Sequence, residues 1–369
     1  MAAANALWQN IKGLNNTNKF SSYNNKKMIN HTQLPNYNTH KNIISCRQAS
    51  SSPAISTSTE LSSSSSSSSS QWPDFAKRVS GEWDGFGADF SPEGKPFELP
   101  ENVVPEAYRE WEVKVHDWQT QCPTLAEPED LIAKYKLIKL LPTVGCEADA
   151  ATRHSIDERH IGGAENNVSA FAYQSNGSYA AVWCVKTQDT YNLLELEHCL
   201  VHPQDQESRV RIIQGIRVEN SKFKMQNIKV FIEQWYGPFR NGESLGGCSI
   251  RDTAFACTEA LNSSEVAGIW QGLSSVAIFH NSQEKNIQEF VQNKTQNLTR
   301  DGSNLVLLPR KLWCSMKEDK GETHCEVGWL FSEGNAITSK CTFSSNAELK
   351  NVSEGFLSNA LGDNKLCWC

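Results

Sequence analysis

From Trp72 onward, apolar and polar side chains alternate with a period of two in short runs broken by Gly, Asn, Asp and Pro. In EWEVKVHDW (residues 110–118), Trp111, Val113 and Val115 fall on one side while Glu112, Lys114 and His116 fall on the other, which predicts a half-buried antiparallel strand. SYAAVWCVKT places Tyr179, Ala181, Trp183 and Val185 on one face. It follows AFAYQSNGS, whose Asn176-Gly177 pair predicts a hairpin turn. YNLLELEHCL, SRVRIIQGIRV and NIKVFIEQWYG continue the series as a meander. Helical pattern is sparse. One helix is predicted to start after Pro73 in DFAKRVSGEW, a second to run through PEDLIAKYKLIKLL (residues 128–141), and a third to cross SSEVAGIW. Many short strands with regular turns predict a mainly β fold, a sandwich or a barrel.

One local signature favours the barrel. In GEWDG, Gly81 and Gly85 flank Trp83, and the same spacing returns in GIWQG as Gly268, Trp270 and Gly272. A glycine two residues before the tryptophan and another two after it let a strand bend sharply. The indole then plugs the closed end of a barrel and its N–H reaches a backbone carbonyl. Strands follow each copy, and each set ends near an aromatic-rich stretch, FIEQWYGPF in the first and CEVGWLFSEG in the second. The expected organisation is therefore two antiparallel β-barrel units, residues 71–246 and a smaller or partial one at 264–358, joined around Gly246 to Ser264. The alternative is coincidence, in a chain with 11 tryptophans and 22 glycines.

Composition changes the picture chiefly at the N-terminus. Residues 1–70 hold one acid, Glu60, against Lys12, Lys19, Lys26, Lys27, Lys41 and Arg47, and end in a serine run from Ser62 to Ser70. Such a segment cannot bury a core and reads as disordered. A Met-Ala-Ala-Ala start, rich in serine and almost free of acids and arginine, reads as a plastid transit peptide, with a plain disordered tail as the alternative. The expected location is the chloroplast, in the stroma or peripherally on the thylakoid. No apolar run suits a secretory signal or a membrane span. Removing these six cations and one anion takes the formal net charge from −7 to −12, which argues against nucleic acid as a partner. The 12 cysteines are irregularly spaced without a CxxC pair, and Cys367 and Cys369 read as a frayed tail. Asn-x-Ser/Thr triplets, as at Asn167, Asn176, Asn262, Asn293, Asn297 and Asn351, suit a secreted glycoprotein, but the missing signal peptide outweighs them.

Candidate chemistry centres on SRVRIIQGIRV, where Arg209 and Arg211 share one strand face. Facing inward, they would bind the carboxylates of a ligand within an apolar pocket. Facing outward they are solvated charges, and the cost of burying unpaired guanidinium favours that reading. Trp183 and Trp235 are candidates for lining the first cup, Trp313 and Trp329 for lining the second, with ordinary core packing as the plainer role. Glu233 is a candidate cavity counter-ion to Arg217, a surface position for both being the alternative. RHSIDERH holds His154, Asp157, Glu158 and His160, but its histidines are spaced wrongly for a zinc helix and a hydrated loop is expected. GLSSV lacks the closing glycine of a nucleophile elbow, and NGESLGGCS lacks the lysine of a phosphate loop and reads as a flexible junction.

With its GxWxG opening, its string of antiparallel strands and its late arginine strand, the chain resembles the calycin superfamily of lipocalins, fatty-acid-binding proteins and S-type phycobiliprotein lyases. More narrowly, GEWDGFGADFSPEGKPFELPENVVPEAYREW is similar to uncharacterised plant plastid and cyanobacterial proteins with paired calycin-like domains. The similarity covers residues 72–345 and is most specific over 81–119. It implies an eight- or ten-stranded barrel with a ligand cavity, for which Arg209, Arg211, Arg217, Trp183, Trp235 and Glu233 are this sequence's candidate ligand-binding residues. Gly81, Trp83, Gly85, Gly268, Trp270 and Gly272 would close the barrels. The expected function is non-enzymatic binding of a small hydrophobic ligand of the tetrapyrrole, carotenoid or fatty-acid class, with no cofactor and no metal. The rivals are a lyase or isomerase acting on such a ligand, and an assembly or scaffold factor for a photosynthetic complex.

Overall fold

The computed structural model describes residues 70–143, 152–188, 190–243, 254–279, 286–292 and 295–360, and among these the helix Trp72–Val79 comes first. Pro73 sits in its first turn, where a missing N–H costs nothing, and Lys77 and Arg78 complement the dipole in its last. The helix buries Trp72, Phe75, Ala76 and Val79. The chain then turns through Gly81 into β1 (Glu82–Phe90).

Two antiparallel meanders follow. The first comprises β2 (Asp117–Gln121), β3 (Thr124–Glu127), β4 (Ile132–Leu140), β5 (Arg153–Ile161), β6 (Ala170–Tyr173), β7 (Tyr179–Thr187), β8 (Asn192–Val201), β9 (Ser208–Glu219) and β10 (Lys222–Gly237). β1 pairs with both β10 and β2, so the meander's first strand lies against its last and the sheet curls into a half-barrel. Its order is β12-β6-β7-β8-β9-β10-β1-β2-β4-β3, with β5 also on β4. The eleventh strand, β12 (Ile287–Glu289), comes from much later in the chain and lies parallel to β6.

The second sheet, after the short helix Ser263–Val266, opens with β11 (Gly268–Ile278). It adds β13 (Val291–Gln292), β14 (Gln296–Arg300), β15 (Leu305–Leu308), β16 (Leu312–Asp319), β17 (Glu322–Ser332), β18 (Asn335–Phe343) and β19 (Leu349–Asn359). Its order is β13-β11-β19-β18-β17-β16-β15, with β14 also on β11. Here too the GxWxG strand pairs with the last strand of its run.

Each sheet carries buried apolar clusters on both faces. Phe86, Leu196, Ile212 and Val230 of the first sheet form one cluster with Cys314, Val327, Ile337 and Val352 of the second. The hollow of the first sheet is filled by Trp83, Tyr135, Tyr179 and Trp183 with the N-terminal helix beneath. The far face of the second carries Trp270, Trp313, Leu330 and Leu357. Burial on both sides explains why β9 reads as a nearly continuous apolar run interrupted only by its arginines and glutamine.

Three expectations are corrected. EWEVKVHDW is not a strand until Asp117: Pro105 and the helix formers behind it make a short helix, Glu106–Glu110, and Glu112 takes a left-handed φ of 54°, leaving Trp111 exposed. PEDLIAKYKLIKLL is not helical. Its apolar residues satisfy both periods, and pairing with β2, β3 and β5 makes it a strand with Ala133, Tyr135 and Leu137 buried. RHSIDERH is not a loop but the exposed edge strand β5, where charge suits an unpaired edge. His154 stacks on Trp118 with ring centroids 4.7 Å apart, and Arg159 bridges Asp157 and Glu195. The N-terminal segment 1–69, the junction at Gly246 and the Cys367–Cys369 pair lie outside the described residues.

Close approach accounts for two of the glycines. A Cβ on Gly85 would stand 1.9 Å from the Ile232 carbonyl oxygen, and one on Gly272 would stand 2.0 Å from that of Phe356. Gly85→Ala and Gly272→Ala are each expected to lose about 1–3 kcal/mol through forced backbone shifts. The denaturation midpoint measures this, with Gly302→Ala as the control, since a Cβ there meets Ser263 at an ordinary 3.7 Å.

Candidate functional site

The paired tryptophan motifs do the same thing twice. Gly81 (φ 144°) and Gly268 (φ 135°) turn the chain from a helix into a strand. Two residues on, the Trp83 indole N–H donates to the Val79 carbonyl at 2.9 Å, and that of Trp270 donates to Val266 at 2.7 Å. Both carbonyls belong to the last turn of the preceding helix, so the indole satisfies an acceptor that the helix leaves open. Both rings are buried.

The arginines of β9 face inward, against the expectation from cost. Arg209 is 1% exposed and Arg211 is fully buried. That cost assumed they met no carboxylate, and both do, although Nη1 and Nη2 of Arg209 stay buried without a hydrogen-bond partner. Arg209 lies with its guanidinium carbon 4.0 Å from the Trp83 ring centroid and its Nε 2.7 Å from Glu233 Oε2. Arg211 grips both oxygens of Glu233, at 2.9 and 2.7 Å, and reaches Glu197 on β8 at 2.9 Å. Glu197 also accepts from Tyr179 at 2.8 Å, from Trp183 Nε1 at 2.9 Å and from the Tyr135 hydroxyl. Burial alone would raise the pKa of Glu233, but Arg209 and Arg211 outweigh it and hold the carboxyl below its ordinary value. Burial pushes the Cys122 thiol up to about 11 and Cys199 up to about 12, which leaves both as neutral thiols without nucleophilic character.

Other sequence-predicted residues separate. Arg217 does not meet Glu233. It stacks over Tyr191 at 4.1 Å and pairs with Glu219 near the surface. Trp235 packs against the first hollow and donates to Ser80 at 3.3 Å. Trp313 is buried on the far face of the second sheet, whereas Trp329 points the other way, toward the first sheet, beside His202.

Sequence reasoning missed the seam between the sheets. His198 of β8 is fully buried there, with Nδ1 2.8 Å from Ser339 Oγ of β18, and burial depresses its pKa to about 3. Glu354 stands opposite Ser339 in the β18–β19 register. Burial pushes its carboxyl up to about 8, opposed only by a hydrogen bond with Ser178. Beside it the seam opens into a cleft of about 330 Å³, walled by Val201, Leu273, Phe290, Ile337 and Phe356 and lined by polar groups including Gln174, Asn176 and Ser275. No local motif announces this site, because Ser178, Ser275, Ser339 and Glu354 come from distant parts of the chain.

Among the described residues no three His, Cys, Asp or Glu side chains gather to hold a metal, and no helix is long and apolar enough to cross a membrane. No family model matches the chain, and no curated protein does. Among solved structures it is similar to a protein of unknown function from the DUF3598 family of Nostoc punctiforme, at 14% identity and a TM-score of 0.46, over 79% of this chain and 100% of that one.

Proposed function

We propose that this chain binds a small, mostly apolar molecule with one polar end, held in the cleft between the two sheets and not in the hollow of the first. The observation that carries this reading is Glu354, a buried carboxyl on the wall of a cleft with both apolar and polar sides, its pKa raised by burial to about 8. A perturbed acid beside apolar walls is the usual chemistry of a ligand site. The neutral carboxyl donates a hydrogen bond to the polar end, while Phe290, Ile337 and Phe356 cover the apolar part. At 330 Å³ the cleft lies at the low end of ligand pockets, which run to about 1,000 Å³. Of the expected ligand classes, an acyl chain suits that volume better than a rigid tetrapyrrole or a carotenoid.

The duplicated Trp83 and Trp270 motifs support a calycin-like ancestry for both sheets, and the acid-poor residues 1–70 support a plastid destination. A scaffold role has one observation in its favour: the first hollow is filled by the protein's own ion network, and Ile269, Leu273 and Ile278 leave exposed apolar surface on β11. Titration with the fluorescent polyene cis-parinaric acid separates the two readings. Wild type is expected to bind it, and Ser275→Phe, which narrows the cleft, is expected to weaken binding at least about tenfold, the loss of roughly 1.4 kcal/mol. Equal affinity in both proteins, or none in either, sinks the cleft.

A further inference from the structure

The polar side of the inter-sheet cleft limits what its occupant can carry. Among the described residues its wall includes no lysine, arginine or histidine, and its one ionisable side chain is Glu354, 8% exposed. The other polar side chains are the amides of Gln71, Gln174, Asn176 and Gln292 and the hydroxyl of Ser275. Each has a hydrogen to give and a lone pair to receive with. Two of the amides are oriented by the chain itself. Gln71 Oε1 accepts from the Ser175 N–H at 3.3 Å and Asn176 Oδ1 from the Ser178 N–H at 2.8 Å, so their NH2 ends are the ones left to meet a ligand.

Glu354 is arranged in the same sense. The Val201 N–H donates to Ser178 Oγ at 3.3 Å, which leaves the Ser178 hydroxyl proton for another acceptor, and Glu354 is that acceptor. Having received one hydrogen bond, the protonated carboxyl keeps its own O–H to donate. In the first hollow the chain buries its carboxylates against guanidinium, Glu197 and Glu233 with Arg209 and Arg211. The cleft offers no such partner. A carboxylate brought beside Glu354 would set a second acid where burial already resists the charge of the first, with no cation on the wall to meet it. A hydroxyl brings no charge and, like the wall, both donates and accepts.

We propose that the ligand of this cleft ends in an uncharged, hydroxyl-bearing head, as a fatty alcohol or a glycerol monoester does and a free fatty acid does not. The inference rests on the cleft being the binding site and narrows what that site accepts. An acid such as cis-parinaric acid then binds less tightly than the alcohol of the same chain. The test is calorimetric titration of the full-length protein at pH 7 with octanol, 1-monooctanoylglycerol, methyl octanoate and sodium octanoate. Octanol or the glycerol ester is expected to bind at least about tenfold more tightly than octanoate, and the tighter of the two identifies the head. Methyl octanoate, uncharged but only an acceptor, is expected to fall between them and octanoate. Ser275→Phe is expected to weaken all of them, which locates the binding in the cleft. Gln292→Arg, which places a guanidinium at the exposed rim, is expected to tighten octanoate about tenfold and leave octanol unchanged. Octanoate or methyl octanoate binding as tightly as octanol, with Ser275→Phe weakening both, overturns the head assignment and leaves the cleft standing. A preference for octanol that survives both variants also overturns it, since the preference then reflects the net negative charge of the chain. Failure of every ligand to bind overturns the cleft itself.

Discussion

Glu233→Ala is expected to destabilise the protein by about 3–5 kcal/mol, because it leaves two buried guanidinium groups short of their carboxylate. Arg209 loses its ion-pair partner, and Arg211 keeps only Glu197. Domain stabilities of about 5–15 kcal/mol make this a large share of the total. Urea denaturation at pH 7 should show the drop, and an unchanged midpoint would mean that the network contributes nothing. The pH dependence carries the same signature. Arg209 and Arg211 hold Glu233 below its ordinary pKa despite burial, so its contribution is present above the unfolded value of about 4.3 and is lost as pH falls through the lower folded value. The gap between wild type and variant should therefore shrink in acid.

Glu354→Gln is expected to do the opposite, stabilising the protein in mildly alkaline solution. The folded carboxyl is raised to about 8, so the fold favours the neutral form. Below the unfolded value Glu354 costs nothing. As pH rises from about 4.3 the unfolded chain gives up its proton first, and stability falls by about 1.4 kcal/mol per pH unit until the folded carboxyl titrates as well. Above that point the full cost is present, about 5 kcal/mol on this arithmetic. Glutamine carries no such charge. The expected result is near-equal melting temperatures at pH 5 and a higher one for the variant at pH 8.5, and parallel curves across that range would refute the assignment.

How far the sequence reaches is seen best at β9 and β10. Their alternation is plain, and so is the tight turn at Asn220 and Ser221. Counting back from that turn pairs Glu233 with Ser208, on the face away from the arginines. The structure pairs it with Arg209, because a bulge between Met225 and Asn227 shifts the register by one residue. One extra residue moves every later side chain to the other face. The ion network was thus hidden behind an irregularity that residue types do not announce, and the inward arginines looked too costly without it. PEDLIAKYKLIKLL failed differently, since its pattern fits two periods and only its neighbours choose between them. The tryptophan motifs were legible because their cause is local: a glycine, an indole and a carbonyl four residues back. The Glu354 cleft was not, because its walls come from strands far apart in the chain.

The placement of β12 on β6 affects how the protein is made. A ribosome delivers every other strand of the first sheet before residue 240, yet the partner for β6 arrives only with residues 287–289. At about 5–20 residues per second, that rim stays bare for on the order of ten seconds, with the Phe171 and Tyr173 backbone open to a neighbouring chain. Residues 70–243 expressed alone would never receive their last strand, and the fragment should clump where the whole chain stays dispersed.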